Sequence, residues 1–290
     1  MGPFYATLAS SYIFSFLARI SYEKKYKSLA IFWSTIVALI LILIAGLRRG
    51  IGDTPFYKHS FTRLAQNPEL FKFEGDFALD LMSLFLMNFS TEPQILIFVA
   101  ALITNLLNVI MLNKYRTYLE LELFLYITAG YYFVTMNGIR QSLAASILFC
   151  CTPLIMKKKF IPYCICVVLI SKFHQSALAL IPMYFVVSEE AWSKRMMKFM
   201  GIAVVGIVCY QLVSPLLFKA LASTKYGAYA DSTEGGSSLI RAVIGAVPVV
   251  LAYLKRKELA ENWPIRNVFV NMSIIHLIYV TLGMYNWIFN

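Results

Sequence analysis

The residues that could do chemistry fall into four short sets. The first is Leu47-Arg48-Arg49-Gly50-Ile51-Gly52-Asp53-Thr54-Pro55-Phe56-Tyr57, directly behind an apolar block. Its two glycines let the backbone approach a ligand, and Asp53-Thr54-Pro55 makes a tight turn. The planar fork of arginine suits phosphate. Without a ligand, the same loop would be an Asp turn whose arginines reach lipid headgroups. The second set is Met136-Asn137-Gly138-Ile139-Arg140-Gln141. It puts Arg140 at the start of a helix, where backbone N–H groups lack partners and anions are favoured. Snorkelling to headgroups is the structural alternative. The third is Lys172-Phe173-His174-Gln175-Ser176, in which His174 could act as a general base and Lys172 could hold a phosphate. A lone interfacial His is also commonly structural. The fourth runs from Lys225 through Tyr226, Tyr229 and Asp231 to Arg241. Aromatic rings with a carboxylate could stack on and hydrogen-bond a sugar, although tyrosines also form the aromatic belt of membrane proteins.

The elements that carry these sets are apolar. Of 290 residues, 59% are hydrophobic and 14% charged, against about 45–50% and about 25% in soluble domains. The excess sits in blocks of about 17–24 residues, the length that crosses a hydrocarbon core of ~30 Å. A formal net charge of +11 could point to nucleic acid, but the basic residues occur in short runs between apolar blocks. Lys24-Lys25-Tyr26-Lys27, Lys114 with Arg116, Lys157-Lys158-Lys159, Lys194-Arg195 with Lys198, and Lys255-Arg256-Lys257 follow the positive-inside pattern. The five cysteines lie in apolar segments without His partners and read as packing residues. No metal cluster and no cofactor motif is visible.

Placing every basic run in the cytoplasm sets the topology. Blocks 4–20, 29–46, 94–112, 119–136, 139–156, 160–171, 174–187, 199–221, 239–254 and 268–289 then make about ten crossings with both termini outside. Segment 77–89 is too short to span and carries Asp76 and Asp80 at its start; it reads as an interfacial or re-entrant helix. The expected fold is an all-α polytopic integral membrane protein, a single transmembrane domain over 1–290. The end directly behind an apolar helix, Ile288-Phe289-Asn290, fits a C-terminally incomplete chain. All four chemical sets then face the extracytoplasmic side. Three supply cations, two supply bases (Asp53 and His174), and one supplies aromatic rings. Cations suit a lipid-linked phosphate or pyrophosphate, and aromatic rings with carboxylates suit a glycan.

At these same residues the chain resembles the EpsG family of Wzy-like exopolysaccharide and O-antigen repeat-unit polymerases. The similar features are Leu47 to Tyr57, Asn137-Gly138-Ile139-Arg140-Gln141, and Phe173-His174-Gln175-Ser176-Ala177. Family members usually carry a further helical stretch beyond the end of this chain. The resemblance implies glycosyl transfer on the outer leaflet of the inner (cytoplasmic) membrane. A growing glycan on undecaprenyl pyrophosphate would move onto a newly flipped lipid-linked repeat unit. Arg48, Arg140 and Arg241 would hold the donor pyrophosphate, with Arg49 and Lys172 as further cations. His174 or Asp53 would deprotonate the acceptor, and Tyr57, Tyr226 and Tyr229 would line the sugar path. Partners would be membrane lipid, undecaprenyl-pyrophosphate-linked oligosaccharides, a flippase and a chain-length regulator, with no nucleic acid. Two other classes compete. A lipid-linked oligosaccharide flippase would need internal repeats and charges within the spans, neither of which is evident. A membrane O-acyltransferase accounts for His174 but not for the arginines.

Overall fold

The structure, a computed structural model, describes residues 2–223, 227, 236–263 and 265–286. It is 79% helix, with no strand among the described residues. The helices in chain order are α1 (Gly2–Glu23), α2 (Lys27–Gly46), α3 (Thr54–Gln66), α4 (Ala78–Met87), α5 (Gln94–Tyr115), α6 (Leu119–Thr128), α7 (Tyr131–Asn137), α8 (Ile139–Cys150), α9 (Thr152–Met156), α10 (Phe160–Ile170), α11 (Leu180–Val187), α12 (Lys194–Val208), α13 (Tyr210–Leu221), α14 (Leu239–Leu254), α15 (Arg256–Asn262) and α16 (Arg266–Leu282). Two of them, α2 and α5, are long and apolar enough to cross a membrane, each with a mean hydropathy of 2.6. The pair α12 and α13 is long and apolar enough taken together, as a broken span or a re-entrant loop bent by 94°. Several shorter apolar helices accompany them, including α4, α8, α10, α14 and α16.

The chain divides into two compact units, Met1–Pro153 with Ile161–Ala179, and Leu154–Phe160 with Leu180–Asn290. In the first, α1 packs along α2 and α6, and α5 lies between α2 and α8. The buried face of α1 is Thr7, Ser11, Ser15, Ala18 and Ser21. Small residues three or four apart let a helix backbone approach its neighbour closely. The hydroxyls of Thr7, Ser15 and Ser21 are satisfied within the helix, as where Ser15 Oγ donates to the Ser11 carbonyl at 2.6 Å. Leu41, Ile42, Ala45, Leu119, Leu123, Tyr132 and Met136 form the core beside it. The ends of α2 and α5 are stitched together by Gln94, whose Nε2 donates to the carbonyls of Gly46 (2.6 Å) and Arg48 (3.2 Å).

Several stretches differ from the sequence expectation, among them block 139–156, which is α8 and α9 with a break at Cys151. Block 119–136 is two helices, because Gly130 at φ 88° takes a left-handed conformation that ends α6 and starts α7. Block 199–221 is also two helices. It breaks at Cys209, three residues past Gly206, while Pro215 lies inside α13. The polar stretch after α2 contains a helix of its own, α3. Its Thr54, Tyr57, Phe61 and Leu64 are buried at helical spacing, so it lays one apolar face inward.

In the second unit α14, α12 and α11 pack against α16. Asn271 of α16 is fully buried. Its amide donates to the carbonyls of Val186, Val187 and Glu189 at 3.3, 3.2 and 2.8 Å, closing the C-terminal end of α11. Ser238 caps α14 by accepting from the Arg241 N–H. The approach to that cap is fixed by the N–H groups of Gly236 and Ser237, which both donate to the Gly283 carbonyl.

Candidate functional site

The first chemical set begins where α2 ends. Arg48 is 5% exposed. Its Nε donates to Thr54 Oγ1 at 2.9 Å and its Nη1 to the Ala45 carbonyl. Burial holds its pKa down at about 10, still high enough to keep the charge at neutral pH. The guanidinium thus closes the last turn of α2 and anchors the first residue of α3. Thr54 Oγ1 donates onward to the Ile51 carbonyl at 2.6 Å, so the 48–54 loop is tied at both ends. Arg49 and Asp53 are exposed on this loop. Pro55 follows in the first turn of α3, where its missing N–H costs nothing.

The second set meets the first at Gly52. Gly52 has φ 55°, and a Cβ there would stand 3.1 Å from the Asn137 Cα and collide with Asn137 Oδ1. The same Oδ1 accepts from the Asp53 N–H at 3.0 Å. The loop is therefore clamped onto the junction between α7 and α8. One turn further, Tyr57 is buried, with its phenol against the N–H groups of Arg140 and Ile139 at the start of α8. Burial pushes the Tyr57 pKa up, so the phenol is neutral at physiological pH. The N-terminus of α8, expected from sequence to present open N–H groups, is partly filled by this phenol.

Arg140 lies beside that contact. Its Nη2 is 3.8 Å from Asp80 Oδ1 of α4, with the two side chains 28% and 39% exposed. Its Nε is buried and makes no hydrogen bond among the described residues. Buried polar groups are nearly always satisfied, so an exception calls for a reason. The guanidinium is braced by Asp80 while its Nε is left without a partner among the described residues.

The third set is joined to this cluster through α4. The Ala78 N–H donates to the Lys172 carbonyl at 2.9 Å, and Asp76 Oδ1 accepts from the Gln175 N–H at 2.8 Å. Phe173 packs on the core formed by Tyr57, Phe61, Leu79, Ile97, Ile139 and Leu143. His174 is half-buried and Lys172 exposed. Sets one, two and three thus share one core at the end of the α2–α5 pair where Gly46 meets Gln94. The opposite end is closed by other groups. Arg19 bonds Glu120 at 2.8 Å and Glu23 at 2.7 Å, and Arg116 lies 4.0 Å over the Tyr22 ring.

The fourth set belongs to the second unit. Arg241 is exposed in the first turn of α14. Tyr226 and Tyr229 lie outside the described residues. Asp76 and Asp80, which in the sequence only mark the start of an interfacial segment, hold the cluster together through Gln175 and Arg140. The signal was present: carboxylates at the start of a short apolar helix are costly near a membrane unless partnered.

These features define a helical membrane protein with a cationic, carboxylate-braced cluster at one end of its longest apolar pair. The chain belongs to the EpsG family, whose profile matches residues 31–290. No curated protein and no solved structure matches it. The protein is accordingly a polysaccharide-polymerase-like membrane protein.

Proposed function

We propose that the protein is a repeat-unit polymerase acting on lipid-linked donors at the extracytoplasmic face of the membrane. The observation that carries this reading is Arg140, with an unsatisfied buried Nε, a loose contact to Asp80 and the tied 48–54 loop beside it. In the reaction, an acceptor hydroxyl oxygen attacks the anomeric carbon of the donor glycan. The bond from that carbon to the pyrophosphate oxygen breaks, and undecaprenyl pyrophosphate departs with the electron pair. Arg140 stabilises the charge developing on the leaving group, an electrostatic role that needs no metal ion. Arg49 and Lys172, on the same unit, supply further positive charge to the headgroup. Arg48 acts one step back, fixing the loop that carries Arg49 and Asp53. The proton of the acceptor passes to His174 or Asp53. His174 is supported by its place on a corner braced by Asp76, whereas Asp53 is supported by its exposure beside Arg49. Tyr57, buried with its phenol at the start of α8, positions the helix that carries Arg140.

The test is a strain lacking the gene, complemented with wild type or with Arg140→Ala. Loss of the glycan ladder to a single exposed repeat unit, restored by wild type and not by Arg140→Ala at equal membrane protein levels, is the expected result. Full-length polymer from Arg140→Ala would remove this arginine from the mechanism. Repeat units trapped on the inner leaflet would mean a flippase, and polymer lacking only acyl groups an acyltransferase.

A further inference from the structure

The second unit contains an open-sided cavity of about 630 Å³, within the range of ligand pockets. It is lined by Tyr210, Ser214, Phe218 and Lys219 of α13 and by Tyr285 and Asn286 just past α16. The bend at Cys209 creates it, because a straight helix would carry α13 away from the end of α16 along the axis of α12. Tyr210 and Tyr285 stack with ring centroids 5.1 Å apart and an interplanar angle of 29°. The pair is fixed from below, since Asn286 is 2% exposed and its side chain bonds the Tyr210 hydroxyl. Tyr285 keeps 44% of its surface exposed and lines the cavity, with Tyr210 stacked on one side of its ring. Phe218 is buried beneath, and Ser214 and Lys219 supply polar groups at the wall.

We propose that this cavity is a saccharide-binding site for the polysaccharide chain, distinct from the arginine cluster of the first unit. A tyrosine ring face presents negative potential to the C–H face of a pyranose. The Ser214 hydroxyl and the Lys219 ammonium at the wall match the hydroxyls on the sugar rim. A pyrophosphate is a poor match, because Lys219 is the cation among the described lining residues and no arginine lines the wall. An acyl chain is also a poor match, since it would leave the polar groups unpaired. The proposal rests on the polymerase reading and deepens it by giving the glycan a holding site built from other residues than the bond-forming groups. A polymerase that grips its product there would add further units before release.

The test uses the full-length protein in nanodiscs and an oligosaccharide of one or two repeat units released by mild acid from the host's own polymer. Saturation-transfer NMR titration should detect binding by wild type. Tyr285→Ala should weaken it about tenfold, the equivalent of ~1.4 kcal/mol, whereas Tyr285→Phe should keep it. In the host, Tyr285→Ala should shift the polymer to shorter chains at unchanged protein level. Equal binding by wild type and Tyr285→Ala, or no saturable binding by wild type, would overturn the site. Binding that is lost on addition of anionic lipid vesicles would reassign the cavity to lipid headgroups and also overturn it. Failure of the polymerase reading has a separate signature, an unchanged glycan in the deletion strain.

Discussion

Replacing Gly52 with Ala tests the clamp between the 48–54 loop and the start of α8. The φ of 55° at Gly52 costs an L-residue about 1–2 kcal/mol. The new methyl would also collide with Asn137 Oδ1 and press to 3.1 Å from the Asn137 Cα. The amide must swing away, giving up its 3.0 Å bond from the Asp53 N–H, worth about 0.5–1.5 kcal/mol. Together these give roughly 1.5–3.5 kcal/mol against the closed clamp, a shift of about tenfold to several hundredfold in its opening equilibrium. Gly50, two residues earlier in the same loop, has nothing within 4 Å of a built Cβ and serves as the control. The assay is the glycan ladder from a complemented deletion strain, read beside the membrane level of the protein. Gly52→Ala should shorten or abolish polymer, and Gly50→Ala should not. Adding Asn137→Ala to Gly52→Ala should restore part of the loss, because it removes the collision but not the strained φ. Equal polymer from the two alanine variants would refute the clamp.

Asp80→Asn removes the carboxylate from a half-exposed pair and should change stability by less than ~1 kcal/mol. It should still lower polymer output if Asp80 orients Arg140, which a ladder assay at matched protein level decides. Arg48→Met leaves Thr54 Oγ1 and the Ala45 carbonyl without their donor and should cost about 1–3 kcal/mol, with no rescue by Lys, whose ammonium lacks the fork. A folded-state pKa of about 10 lies below the ordinary 12.5, so the burial penalty is complete below pH 10 and eases only above it. The difference in unfolding temperature between Arg48→Met and wild type should therefore be the same at pH 6 and pH 8.5. Arg19→Ala strips Glu120, only 5% exposed, of its partner at the far end of the bundle. It should lower the unfolding temperature and the protein level while leaving polymer per molecule intact.

Much of the protein follows from local sequence. A block of apolar residues long enough to cross a bilayer names the class without any knowledge of neighbours, and α2 and α5 appear where the apolar length requires them. The arginine, glycine and histidine sets were visible because residue type and short spacing carry that signal. The breaks at Gly130 and Cys209 were not legible, since a glycine in an apolar run is tolerated in a straight helix as readily as in a broken one. The inward face of α3 was present as a period of buried positions, but hidden within a segment whose polarity suggested a loop.

What the tertiary structure alone decided is which sets work together. Asp53 and Asn137 are 84 residues apart, and Asp76 and Gln175 are 99 apart. Apolar length and charge bias say that a chain crosses and returns, but not which loops arrive beside one another, because that depends on how helices pack laterally. Small residues along α1, the Gln94 bond to the end of α2, and the absence of a side chain at Gly52 set those approaches. The same packing gave Arg48 and Arg140 different surroundings. One is buried and bonded through Nε and Nη1, the other braced by Asp80 with a buried Nε left over, and nothing in the two side chains as written in the sequence distinguishes them.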